Sequence, residues 1–201
     1  MRYGIPRKGL LSNRSVRRFL HNEVGETRIE DMQTPLAIVA ADILTRQEVV
    51  FRTGLLWQAV MASLSIPGVY PALWIGEHLV VDGGVLNPVP VSVAAEMGAG
   101  VVVAVKLAGE AAPHTEVESV VAKGTPPSAL SVILRSIELM SGRISSEPAG
   151  ARVITITPAF AHLPSGKLKA FAEGGRFVDL GEEAAEQAMP RITAALPWLR
   201  P

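Results

Sequence analysis

After Ser12, apolar residues recur at Val16, Phe19, Leu20 and Val24, a spacing that places them on one face of a helix ending at Gly25. The period then changes. Leu36 to Ala41 is a nearly continuous apolar run after Pro35, which predicts a strand buried on both faces. Val49-Val50-Phe51 follows a polar turn containing Thr45, Arg46 and Gln47 and reads as its hairpin partner. Leu55 to Leu64 reads as a short helix. Trp74-Ile75 and Leu79-Val80-Val81 flank Gly76-Glu77, and a glycine at the first turn position suits the tight hairpin that needs positive φ there. The second arm of that hairpin ends at Asp82.

Pro90 fits the first turn of a helix running to Met97 and closed by Gly98. Val101 to Val105 is a second fully apolar run, expected as an interior strand. Gly109 to Ser128 reads as an exposed loop, Ala129 to Ser141 as a helix, Val153 to Ile156 as a strand, and Gly181 to Leu196 as a last helix that Pro190 kinks or shortens. Strands alternating with helices define the α/β class and lead to the expectation of a mostly parallel sheet covered on both faces, with any site at the carboxyl ends of strands.

With 48% hydrophobic residues among 201, the chain can bury a real core as one domain. Nineteen basic and nineteen acidic side chains cancel, so nothing in the net charge calls for nucleic acid. Residues 1 to 20 are the exception, holding Arg2, Arg7, Lys8, Arg14, Arg17 and Arg18 and no acid. That cluster suits either a solvated helix face or an anionic lipid surface. Having no cysteine, the sequence excludes disulfides and thiolate chemistry. The start carries no apolar leader, so the cytosol is the default compartment. Thr53 to Gly76 is uncharged and long enough to span a bilayer, but Pro67, Gly68 and Pro71 would break such a helix. His21, His78, His114 and His162 are scattered without metal-ligand spacing, so no metal and no cofactor is expected.

One local motif bears on chemistry. Asp82-Gly83-Gly84 directly follows an apolar strand, which puts a carboxylate at a strand end beside two residues without side chains, where another backbone or a ligand can come close. By itself an Asp-Gly pair after a strand is more often only a turn. The wider stretch, Ala62 to Pro71 followed by Leu79-Val80-Val81-Asp82-Gly83-Gly84-Val85-Leu86-Asn87-Pro88-Val89-Pro90-Val91, resembles the patatin-like phospholipases, and most closely their bacterial branch related to neuropathy target esterase. The likeness begins near Gly9-Leu10-Leu11, passes through Pro35 to Asp42 and runs to about Leu107. The resemblance implies a three-layer α/β/α hydrolase fold and a Ser-Asp dyad acting on lipid acyl esters. It gives Asp82 the role of general base, with Gly83 and Gly84 completing the motif.

The rest of that machinery is not in the sequence. The family's nucleophile stands in a G-x-S-x-G elbow, yet none of the 18 glycines is followed two positions later by serine. Ser63 and Ser65 lie near the motif without flanking glycines and read as helix-end residues. Gly174-Gly175 looks superficially like the oxyanion loop but is expected to be a turn. The family's order puts both missing parts ahead of Gly9. The chain is therefore expected to start late, as a fragment, from a misassigned start, or after true loss, and residues 1 to 201 alone are expected to hydrolyse nothing. The two functions in view are an acyl-ester hydrolase, peripheral at a membrane, and a non-catalytic homologue that binds lipid or protein.

Overall fold

The computed structural model describes residues 12–107, 136, 150–159 and 174–199. Gly9-Leu10-Leu11, Arg2, Arg7, Lys8, the loop 109–128, most of the helix expected over 129–141, His114 and His162 lie outside the described residues. The chain divides into two compact units, Met1–Val93 with Val132–Ser145, and Ala94–Ser131 with Ser146–Pro201.

The first unit opens with α1, Arg14–Val24, whose chain is turned away by Gly25 at φ 56°, its N–H donating to His21 O. Strand β1, Ile38–Asp42, runs into β2, Gln47–Phe51, and the chain then forms α2, Leu56–Ser63. β3, Leu73–Ile75, and β4, His78–Asp82, form the expected hairpin, with Gly76 at φ 59°. The sheet order is β2-β1-β4-β3 and every pairing in it is antiparallel. β1 sits inside that sheet, with Val39, Ala40, Ala41 and Asp42 all buried. An apolar run with no alternation means just this, a strand covered on both faces.

α2 lies against the sheet through small residues. Ala62 on the helix, Ala40 on β1 and Val80 on β4 are each fully buried and pack together, with Val49, Phe51, Leu73 and Ile75 around them. Side chains this short let the helix backbone approach the strands closely, and burying Val80 contributes about 1.5–3 kcal/mol. A second cluster of Ile29, Leu56 and Ala59, joined by Val24, seats α1 beside α2.

In the second unit β5, Val101–Val105, pairs in parallel with β6, Arg152–Ile156. The long helix α4, Gly174–Ala195, packs Ala188 and Ile192 on Ile154 and Ile156. The boundary between the units falls inside the short helix α3, Val91–Glu96.

The α/β class stands, but three expectations are revised. Among the described residues only β5 and β6 are parallel: short loops make β1–β2 and β3–β4 antiparallel neighbours, and β1–β4, joined through α2, is antiparallel as well. β5 is not interior among those residues: it is paired on one side and exposes Val103 and Val105 by 40% and 52%. Gly174 and Gly175 open α4 and do not form a turn, and the helix runs on through Pro190.

Candidate active site

β4 ends on Asp82, opposite Ala40 in the middle of β1. The Asp82 backbone N–H donates to Ser65 O at 3.0 Å, which fixes the strand end beside the chain leaving α2. The carboxylate then caps the single 3₁₀ turn Gly83–Val85, with Oδ1 accepting from Gly84 N at 2.7 Å. Both glycines are explained by space. A Cβ on Gly83 would lie 2.5 Å from Val39 O, a backbone atom of the interior strand, and a Cβ on Gly84 would lie 3.1 Å from Asp82 Oδ1. The turn is tied further by Asn87, whose N–H donates to Gly83 O and whose Nδ2 donates to Glu48 Oε2 on β2 at 2.6 Å.

Asp82 lines a cavity of about 490 Å³ whose other walls include Ile38, Val39, Val60, Leu64 and Pro88. Loss of water around the carboxyl pushes its pKa up, against the lowering effect of the Gly84 N–H. A carboxylate held, among the described residues, by one hydrogen bond beside an apolar space is a better proton acceptor than one in water. Ser63, the last residue of α2, lines the same cavity, but no hydrogen bond joins it to Asp82 among the described residues, and no glycine flanks it to make an elbow. Ser65 is fully buried and its hydroxyl donates to Met61 O at 2.7 Å, so it serves as the helix end that the sequence suggested.

A second carboxylate site had no counterpart in the sequence reading. Asp42 ends β1 with its side chain 1% exposed, and His78 Nδ1 lies 2.9 Å from its Oδ2. Leu44 N donates to Oδ1 at 2.9 Å. The His78 bond first, then the Leu44 N–H, hold its carboxyl down at about 2, against the opposing effect of burial. The two residues are 36 apart in sequence, so no local spacing could have paired them; the one available signal was a charged residue closing an apolar run just before a turn. Glu48, which anchors Asn87, was missed for the same reason. Among the described residues no group of three or more His, Asp or Glu is placed to hold a metal ion.

Antiparallel strands and α2 thus present one partly buried carboxylate, on a glycine-supported turn, to an apolar cavity. Residues 1–95, which build nearly all of it, match the family model of patatin-like phospholipases. The chain is also similar to named relatives. An uncharacterised NTE family protein of Mycobacterium bovis is 38% identical over 105 residues, 52% of this chain and 18% of its own. A second such protein, of Mycobacterium tuberculosis, is 35% identical over 115 residues, 57% of this chain and 32% of its own. Patatin-like phospholipase domain-containing protein 6 of Mus musculus is 31% identical over 107 residues, 52% of this chain and 8% of its own. The resemblance read from the sequence, to the patatin-like phospholipases and to their branch named after neuropathy target esterase, is therefore shown; the matched stretch covers no more than 32% of the length of these relatives.

Proposed function

We propose that this chain carries the general-base half of a lipid acyl-ester hydrolase of the phospholipase or lysophospholipase kind, with Asp82 as the base of a Ser-Asp dyad and Gly83 and Gly84 as its support. A patatin-like phospholipase likeness suggests lipid hydrolysis. The observation that carries the reading further is the position of Asp82, whose carboxyl is pushed upward by burial and opens on an apolar cavity large enough to take part of an acyl chain.

In such a dyad the carboxylate takes the serine proton as the oxygen attacks the ester carbonyl. It returns that proton to the leaving alcohol, and in the second half-reaction draws a proton from the water that releases the fatty acid. No G-x-S-x-G serine occurs among the 201 residues, so the nucleophile is proposed to come from sequence outside them, and the 201-residue chain is proposed to turn over no ester. The test is a version of the protein that carries a G-x-S-x-G elbow, assayed on a fatty acyl ester with and without the substitution Asp82→Asn. Equal turnover by the two would remove Asp82 from the mechanism.

The missing elbow itself favours a second reading, a non-catalytic homologue that binds lipid or another protein. Reading the gene ahead of Met1 separates the two: an in-frame glycine-rich loop and elbow support the hydrolase, and a stop codon supports the binding module. For the hydrolase the substrate is lipid and contact with a membrane is peripheral; neither reading calls for nucleic acid or a cofactor. Among the described residues no helix is long and apolar enough to cross a membrane.

A further inference from the structure

Helix α1 is charged against its own dipole. Arg14, Arg17 and Arg18 occupy its first turns and no acid stands in the first turn, so cations crowd the end of the helix that already carries partial positive charge. Glu23 sits near the opposite end, where a negative charge is also misplaced. The two other acids close by are engaged elsewhere, Glu26 with His21 at 2.9 Å and Glu30 with Arg28 at 2.7 Å. Arg14 and Arg18 are exposed and have no acidic partner among the described residues. Phe19 joins them with 60% of its surface in water.

We propose that this outer face of α1 is a docking surface for anionic phospholipid. Arg14, Arg18 and Phe19 lie within an arc of about 140° around the helix; the two arginines face away from the half-buried Val16 and Leu20, and Phe19, expected on the apolar face with them, stands at its rim and is exposed. Guanidinium groups beside one protruding aromatic ring suit the boundary between lipid headgroups and acyl chains: the cations meet phosphate and the ring enters the apolar layer. An anionic surface also relieves the local repulsion that the helix carries alone. Arg17 is committed differently. Its guanidinium lies 5.3 Å from the centre of the Trp57 ring, and His21 meets the same ring edge-on, which fixes the rotation of α1 on α2. α2 then runs from its contact with α1 to the cavity, because Trp57 near its start lies under Arg17 while Ser63 at its end lines the cavity, about 9 Å away along the axis. Charge recruits by long-range attraction and the single ring adds the short-range contact, so both are needed for firm binding.

The proposal rests on the hydrolase reading only in expecting a lipid substrate, and its test needs no turnover. The 201-residue chain is sedimented with vesicles of phosphatidylcholine, with and without phosphatidylglycerol, at low and high salt. Association is expected only with the anionic vesicles and is expected to fade in high salt. Arg14→Ala with Arg18→Ala is expected to weaken it at least about tenfold, Arg14→Lys with Arg18→Lys to retain most of it, and Phe19→Ser to weaken it roughly fivefold. Circular dichroism confirms that each variant folds, as these exposed positions allow. Equal binding to neutral vesicles, no binding at all, or undiminished binding by the double alanine variant overturns the assignment. None of those results bears on Asp82, whose role is decided by ester turnover alone.

Discussion

Asp42 and Asp82 end neighbouring antiparallel strands of one sheet, and the register sets them two positions apart, Asp42 opposite Val80 and Asp82 opposite Ala40. Asp42 is the more buried of the two and yet the more acidic: His78 and the Leu44 N–H surround it with donors, and its carboxyl stays ionised down to about 2. Among the described residues Asp82 has one backbone donor, and loss of water pushes its pKa the other way. Burial by itself therefore distinguishes neither role. What separates them is how many donors the fold supplies to replace water: a carboxylate fully supplied ties the chain together, and one undersupplied beside a cavity keeps its appetite for a proton.

The largest expected effect comes from removing each charge in turn from a version of the protein that carries a serine elbow. Asp82→Asn is expected to reduce turnover of an acyl ester by about 10²–10⁴-fold, because an amide cannot accept the serine proton. Asp42→Asn is expected to leave the rate per folded molecule close to wild type. Steady-state assays corrected for folded fraction read both, and a large fall in kcat for Asp42→Asn would make the contrast false.

The next effect concerns the support beneath Asp82. Gly83→Ala would bring a methyl carbon to within 2.5 Å of Val39 O, and since that oxygen belongs to an interior strand it cannot move aside. A loss of about 3 kcal/mol in urea unfolding is expected, at the upper end of overpacking penalties. Gly84→Ala meets a side-chain oxygen at 3.1 Å, which can swing, so its effect is expected to be smaller on stability and to fall on the geometry of Asp82.

Much of this was legible in the sequence wherever the signal was local. The unbroken run ending in Val39-Ala40-Ala41 announced a buried strand, Gly76-Glu77 announced a hairpin, and the residues around Asp82 carried the family resemblance. Pairing across distance was not legible. Val101 to Val105 is as apolar as β1, yet composition does not reveal how many neighbours a strand has, and here Val103 and Val105 are exposed. The β1–β4 pairing is made across α2, so its direction could not be read from any turn. Asp42 meets His78 through that pairing, and Asn87, beyond the end of β4, reaches Glu48 on β2 39 residues earlier, which is why neither contact was anticipated.

A smaller effect is expected from the ionisation of Asp42. A carboxyl whose folded pKa lies below its unfolded value of 3.8 contributes stability above that value and loses it as pH falls towards about 2. Asp42→Asn is therefore expected to be less stable than wild type at neutral pH, with the gap closing between roughly pH 5 and pH 2. Urea midpoints across that range measure it. A gap that does not depend on pH would mean that the carboxylate's charge plays no part in holding His78 and the turn at Leu44.

The smallest expected effect has the opposite sign and the most bearing on function. Asp82 has a folded pKa raised above its unfolded value, chiefly by burial. In such a case the folded state holds its proton more tightly than the unfolded state, so stability declines as pH climbs from the unfolded pKa through the folded one, and stays lower beyond it. Asn at this position is neutral throughout, and its amide oxygen can still accept from Gly84 N. Asp82→Asn in the 201-residue chain is thus expected to be slightly more stable than wild type at pH 7 and equal to it below about pH 3, where the carboxyl is protonated in both states. The contribution of Asp42 is common to both proteins and cancels in the difference. A variant that gains stability while losing turnover would show that the ionised carboxylate is kept at the cavity against the preference of the fold. If Asp82→Asn instead proves less stable at neutral pH, Asp82 is a structural cap like Asp42, and the difference between the two aspartates disappears.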